Sequence, residues 1–203
     1  CAAAMEEEIA FQGADTIAAF IMEPVLGAGG VIVPPDSFMK LVREICDRHG
    51  ILMIADEVVT GFGRTGAWSG SRLWGVKPDM MTMAKAITSG YFPLGATLIG
   101  EAVADAFEAD TTTFGSIGHG YTYSGHPVGC AAGIAALAET RRQPSLRLTS
   151  LRNKLSRATS RVPTGDTHVD ARKQAAQPDS GVDLAHELFD TAQAAAVLGI
   201  TSD

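Results

Sequence analysis

A few polar residues in otherwise apolar surroundings carry the chemistry of this chain. The stretch ILMIADEVVTGFGRTG, residues 51–66, runs from apolar residues into two carboxylates, Asp56 and Glu57, and then into glycines around Arg64. Further on, in PDMMTMAKAITSG, Lys85 follows methionine, threonine and alanine, with no charge between Asp79 and itself. An amine with little hydration has a lowered pKa and becomes a nucleophile able to form a Schiff base with a carbonyl. The bland alternative for such a lysine is that it reaches solvent along its own apolar stem. A carboxylate at the end of a buried strand needs a cation or hydrogen-bond donors, because an unpaired buried charge is costly. That partner need not be protein.

The elements that would position these residues are those of an α/β fold. Residues 16–24 read as a buried strand ending at Pro24, and GAGGVIVPP reads as a loop. Asp36 is placed to cap a helix with a stripe of Phe38, Leu41, Val42 and Ile45, closed by Gly50. A second buried strand, residues 51–55, follows directly. Strand, helix, strand implies parallel pairing. Apolar segments at 80–84 and 94–100 continue the pattern, residues 101–107 read as a helix, and an alanine-rich helix starts near Pro127. In parallel α/β sheets ligands sit beyond the carboxyl ends of the strands, so Asp56 would project into such a crevice.

Composition narrows the classes. Nearly half of the 203 residues are hydrophobic and 19% are charged, a globular balance. No apolar run is long enough to span a bilayer, and the opening CAAAMEEEIA carries acids where a leader would be basic, so a cytoplasmic location without membrane contact is expected. A formal charge of −7 argues against a nucleic-acid surface. Cys1, Cys46 and Cys130 lack the spacing of a disulfide framework or a zinc site. The charge changes sign along the chain: residues 1–140 hold 7 basic and 16 acidic side chains, residues 141–203 hold 9 and 7. Beyond Arg141 a weak helical period remains in Leu146, Leu148, Leu151 and Leu155, residues 163–181 have almost no core-forming side chains, and a last short helix is expected over 183–198.

A nucleophilic lysine and a strand-end aspartate together suit a cofactor with an aldehyde and a protonatable ring nitrogen, which describes pyridoxal 5'-phosphate. The blocks EPVLGAGGVIVPP, ILMIADEVVTGFGRTG, GVKPDMMTMAKAITSGYFPLGA and HGYTYSGHPVGCAAGIAAL, in that order, resemble the class III aminotransferases, the ω-transaminase group of fold-type I enzymes, over residues 14–140. The fold this resemblance implies is α/β, a mostly parallel sheet with helices on both faces. Lys85 matches the lysine that binds the cofactor aldehyde and then shuttles the substrate proton. Asp56 matches the carboxylate that keeps the ring nitrogen protonated, and Val58 the apolar side chain behind the ring. Thr122 matches a threonine that reaches the phosphate of the neighbouring subunit, which implies a homodimer with shared sites. Glu23 matches a glutamate that in some members pairs with a mobile arginine; as a residue it reads equally as a strand-end acid. The glycines and Arg64 of GFGRTG read as a turn, and His119 and His126 as loop and helix-cap residues.

Val59 and Ala28 stand where members using 2-oxoglutarate often carry glutamine and glutamate, which favours pyruvate as acceptor. The implied reaction moves an amino group from an amine or ω-amino acid to a keto acid. The resemblance assigns residues 1–140 to the central part of the cofactor-binding large domain. Residues 141–203 are expected to be a divergent or frame-shifted tail in place of a C-terminal domain. Lacking the phosphate-gripping turn and the substrate-binding arginine of the family, the chain is expected to be an incomplete fragment, weak or inactive alone. An aminomutase or racemase would use the same Lys85 and Asp56. A non-catalytic fragment would expose apolar faces.

Overall fold

The computed structural model of the chain describes residues 1–115, 119–142 and 197–200. Five strands form one mixed sheet in chain order: β1 Ala19–Met22, β2 Leu52–Asp56, β3 Met80–Met83, β4 Gly95–Ile99 and β5 Val197–Ile200. β1 pairs with β2 and β2 with β3 in parallel, whereas β4 is antiparallel to both β3 and β5. Among the described strands β4 alone runs against the rest, so the sheet is mostly parallel as expected. The helices are α1 Ala2–Gln12, α2 Phe38–His49, α3 Gly70–Leu73, α4 Glu101–Phe114 and α5 Pro127–Arg142.

The α2 crossover makes β1 and β2 parallel, and its buried stripe explains why it docks. Met39, Val42, Ile45 and Cys46 face the core with Met53 of β2, and full burial of such a Met, Val or Ile contributes about 1.5–3 kcal/mol. The stripe is turned from the expected one: Leu41 is exposed and Phe38 half-buried. The cap also differs. Ser37, in helical conformation and without a side-chain cap, precedes the helix. The Phe38 N–H donates to Pro35 O at 2.9 Å, so a backbone turn replaces the side-chain cap expected of Asp36. Gly50 does close the helix, at φ 66° in the left-handed region.

Alternation along the strands sorts the sheet into two faces. Phe20, Met22, Met53, Ala55, Met81, Met83, Ala96 and Leu98 share one face by register, and those from β2, β3 and β4 are buried. The other face carries Ile21, Leu52, Ile54, Asp56, Met80, Thr82 and Thr97. Ile21 there is 59% exposed. Asp79 fixes the amino edge of the sheet: its Oδ2 accepts from the Met53 N–H and from Arg43 Nη1, both at 2.7 Å.

Several boundaries differ from expectation. Residues Ala14–Thr16 form a 3-10 turn, so β1 starts later than residue 16. α4 continues to Phe114 rather than stopping at 107. α1, whose sole fully buried side chain is Ile9, has no apolar stripe to announce it. Val197 and Leu198 pair with β4 instead of ending a helix, consistent with the β-branched and glycine content of Val-Leu-Gly-Ile. The rest of that expected helix, and the leucine period of 146–155, lie outside the described residues.

Candidate functional site

β2 and β3 run side by side to the same carboxyl edge, with Asp56 opposite Thr82 in register. Lys85 follows three residues after Thr82, at the start of the 3-10 turn Lys85–Ile87. The two polar residues singled out in the sequence therefore leave adjacent parallel strands at one edge. The chain turns there through strained backbone: Lys85 has φ 48°, a left-handed value that non-glycine residues rarely adopt.

Asp56 is half-buried, and its Oδ1 accepts from the Val58 N–H at 3.0 Å. Among the described residues Oδ2 takes no hydrogen bond. On the same face Thr82 Oγ1 is buried and without a partner. A carboxylate oxygen and a hydroxyl left open side by side are groups available to a ligand. Lys85 is exposed and forms no ion pair among the described residues. This corrects the expectation of a lysine in apolar surroundings: Met81 and Met83 turn into the core, and the left-handed residue carries Lys85 out over the edge.

Val58 sits half-buried in the turn after Asp56. GFGRTG is the expected turn, with Gly63 and Gly66 at positive φ and Arg64 Nη1 donating to Val59 O at 3.1 Å. Glu23 Oε2 accepts from the Gly27 N–H at 2.7 Å and so shapes the loop after β1. Thr122 lies apart, exposed in a turn where the Ser124 N–H donates to Tyr121 O at 2.9 Å. His126 caps α5 by accepting from the Val128 N–H through Nδ1, and His119 is a loop residue edge-on to Tyr121. That loop joins the lysine segment through α5: His126 stacks on Phe92 at 5.0 Å, while Gly129 and Gly133 lie against Phe92 and Leu94.

Sequence reasoning assigned no role to Glu57, yet it is the most heavily hydrogen-bonded side chain near the site. It is wholly buried and accepts from the Gly70 N–H at 2.7 Å, the Ser71 N–H at 2.8 Å and the hydroxyls of Thr60 and Ser71. Strand alternation could have found it, since the residue after an outward Asp56 must point inward, towards the small polar cluster Ser69-Gly70-Ser71.

Comparison with known proteins turns this geometry into an assignment. The chain has the fold of fold-type I transaminases: it superposes with TM-score 0.71 and 53% identity on an amine transaminase from an uncultivated Pseudomonas species, solved in its PLP-bound form, covering 77% of this chain and 35% of that one. Residues 1–164 match the family Aminotransferase class-III, and the chain belongs to that family. It is 50% identical over 143 residues to the diaminobutyrate–2-oxoglutarate transaminase of Halomonas elongata, and 50% identical over 133 residues to mitochondrial gamma-aminobutyrate transaminase 1 of Oryza sativa. It spans only 30% and 26% of the length of those two relatives.

Proposed function

We propose that this chain is the central part of the cofactor-binding domain of a transaminase that uses pyridoxal 5'-phosphate to move an amino group from an amine or ω-amino acid to a keto acid. The observation that carries this is the arrival of Lys85 and Asp56 from adjacent parallel strands at one sheet edge, with an open carboxylate oxygen on Asp56 and an unpartnered Thr82 hydroxyl in register with it. Bound there, the cofactor supplies an aldehyde that condenses with amines and a ring that draws electrons from the adjoining carbon. The protein's residues bind and orient it and move the proton. With the cofactor bound, Lys85 Nζ would hold it through its aldehyde carbon and would carry a proton to and from the substrate carbon. Asp56, held in aim by the Val58 N–H, would keep a proton on the ring nitrogen, and the Val58 side chain would support the ring.

Thr122 donates its hydroxyl to a phosphate across a homodimer, a role its exposed turn leaves open. The exposed Tyr121 and Tyr123 beside it supply apolar area for such an interface. Val59 and Ala28 favour pyruvate as acceptor. The relative from Halomonas is named for 2-oxoglutarate, so overall identity does not select the acceptor. Glu23 serves the substrate side by fixing the loop it accepts from, with its second oxygen available to a mobile arginine.

The test is covalent. The chain is mixed with pyridoxal phosphate, reduced with borohydride and mapped by peptide mass spectrometry, with Lys85→Ala as control. The added mass is expected on Lys85 alone. Mass spread over several lysines, or unchanged in the control, would refute the proposal.

A further inference from the structure

Glu57 lies next to Asp56 and points away from it, which raises the question of what a wholly buried carboxyl group does there. Its two oxygens divide four donors: Oε2 takes the Thr60 hydroxyl and the Gly70 N–H, and Oε1 takes the N–H and hydroxyl of Ser71. Thr60 belongs to the turn that follows Asp56, whereas Gly70 and Ser71 open α3. One side chain thus ties both ends of the loop 57–71 together. The turn is drawn in further by the Gly61 N–H, which donates to Glu57 O at 2.8 Å, and by the Glu57 N–H, which donates to Thr82 O at 2.9 Å.

Inside that turn is the Val58 N–H, the donor that aims the Asp56 carboxylate. Glu57 and Val58 share a peptide unit, so a shift of the Glu57 backbone swings that N–H. We infer that Glu57 is a positioning residue for the transamination chemistry: by clamping Thr60, Gly70 and Ser71 it fixes the Val58 amide, and through it the Asp56 carboxylate that faces the cofactor ring. This rests on the cofactor role proposed above. A side chain with two acceptor oxygens suits this place because two backbone and two hydroxyl donors converge on it. A glutamine would turn its own N–H₂ towards two of them and leave one amide unpaired.

The experiment uses the full chain and two readouts. Hydrogen exchange at Val58, measured without cofactor, should be about tenfold faster in Glu57→Gln. In the chain loaded with pyridoxal phosphate, Glu57→Gln should keep the borohydride label on Lys85 while the pH midpoint of the bound chromophore's absorbance moves. Ser71→Ala removes one hydroxyl donor and should show both effects in smaller measure, which decides the matter if Glu57→Gln does not fold. Asp47→Asn, altered on the exposed side of α2 away from this loop, should change neither readout. The inference is overturned if the folded variants keep wild-type Val58 exchange and midpoint, or if Asp47→Asn shifts both equally. No label on Lys85 in the unmodified chain would instead overturn the cofactor role, and this one with it.

Discussion

Replacing Gly70 by alanine tests how tightly the site's supporting loop is packed. An added Cβ would lie 2.6 Å from Pro24 Cβ, 3.0 Å from Thr60 Cβ and 3.1 Å from Pro24 Cγ. Carbon contacts relax at about 3.5–4.0 Å, so the start of α3 has to retreat by about 1 Å. None of these neighbours is the flexible tip of a side chain: Pro24 is a fully buried ring, and Thr60 is held by Glu57. Overpacking of this kind costs about 1–3 kcal/mol. The same retreat stretches the 2.7 Å bond from the Gly70 N–H to Glu57, and opening it adds about 1–3 kcal/mol. The expected loss is therefore about 2–6 kcal/mol, read as a lower urea midpoint at unchanged slope. Gly133→Ala is the matched opposite. It lies inside α5, where alanine gains about 0.5–1 kcal/mol over glycine, and its Cβ would meet only the tip of Leu94 at 3.3 Å and Ile87 O at 3.7 Å. It should be neutral to stabilising. A Gly70→Ala chain within about 0.5 kcal/mol of the parent would refute the packing argument.

Asp79→Ala strands the buried Met53 N–H and removes an Arg43 partner, so urea titration should show a loss of about 2–4 kcal/mol. Glu6 is held below its ordinary value of 4.5, first by its hydrogen bond to His49 and also by Arg48. A lowered carboxylate pKa stabilises the fold above the ordinary value and ceases to do so as pH falls through the lowered one. The stability gap between the parent and Glu6→Gln should accordingly be widest above about pH 5 and close in acid. Burial pushes the Cys46 thiol above its ordinary value, whereas Cys1 and Cys130 are exposed. Iodoacetamide should modify those two in the native chain and reach Cys46 only in denaturant. Asp56→Asn should leave the Lys85 label in place and lower transamination in the complete enzyme by about 100-fold or more, compared by kcat at matched cofactor content.

Much of the site was legible in the sequence because its positions follow from one-dimensional rules. An apolar run ending in a carboxylate marks the carboxyl end of a strand, and Asp56 is there. A lysine after alternating methionines marks the next strand's end, and Lys85 is there. The exposure of Lys85 was not legible, since it depends on a single left-handed residue that no composition rule requires of a lysine. The helix cap failed for a related reason: Asp36 and Ser37 are both good capping residues, and the backbone bond from Phe38 to Pro35 decides between neither of them. β4 reads as a strand from Leu94 to Gly100 but says nothing of its direction. Its antiparallel pairing follows from the short connection after β3, too short for a helical crossover.

The two sheet faces explain why Asp56 and Glu57 can stand side by side with opposite fates. On the face of Met53, Met81 and Leu98, burial is nearly complete, so a charge there must bring its own donors, and Glu57 has four. On the face of Ile54 and Thr82 burial is partial, so a carboxylate can keep an oxygen open for a ligand, as Asp56 does. The strand's alternation places the first charge where chemistry is possible and the second where it can hold the loop still. Exchanging the two residues would keep composition and net charge while putting the shorter aspartate among donors it cannot all reach. Stability and cofactor alignment should then fail together, because the clamp and the aim of the carboxylate share one peptide.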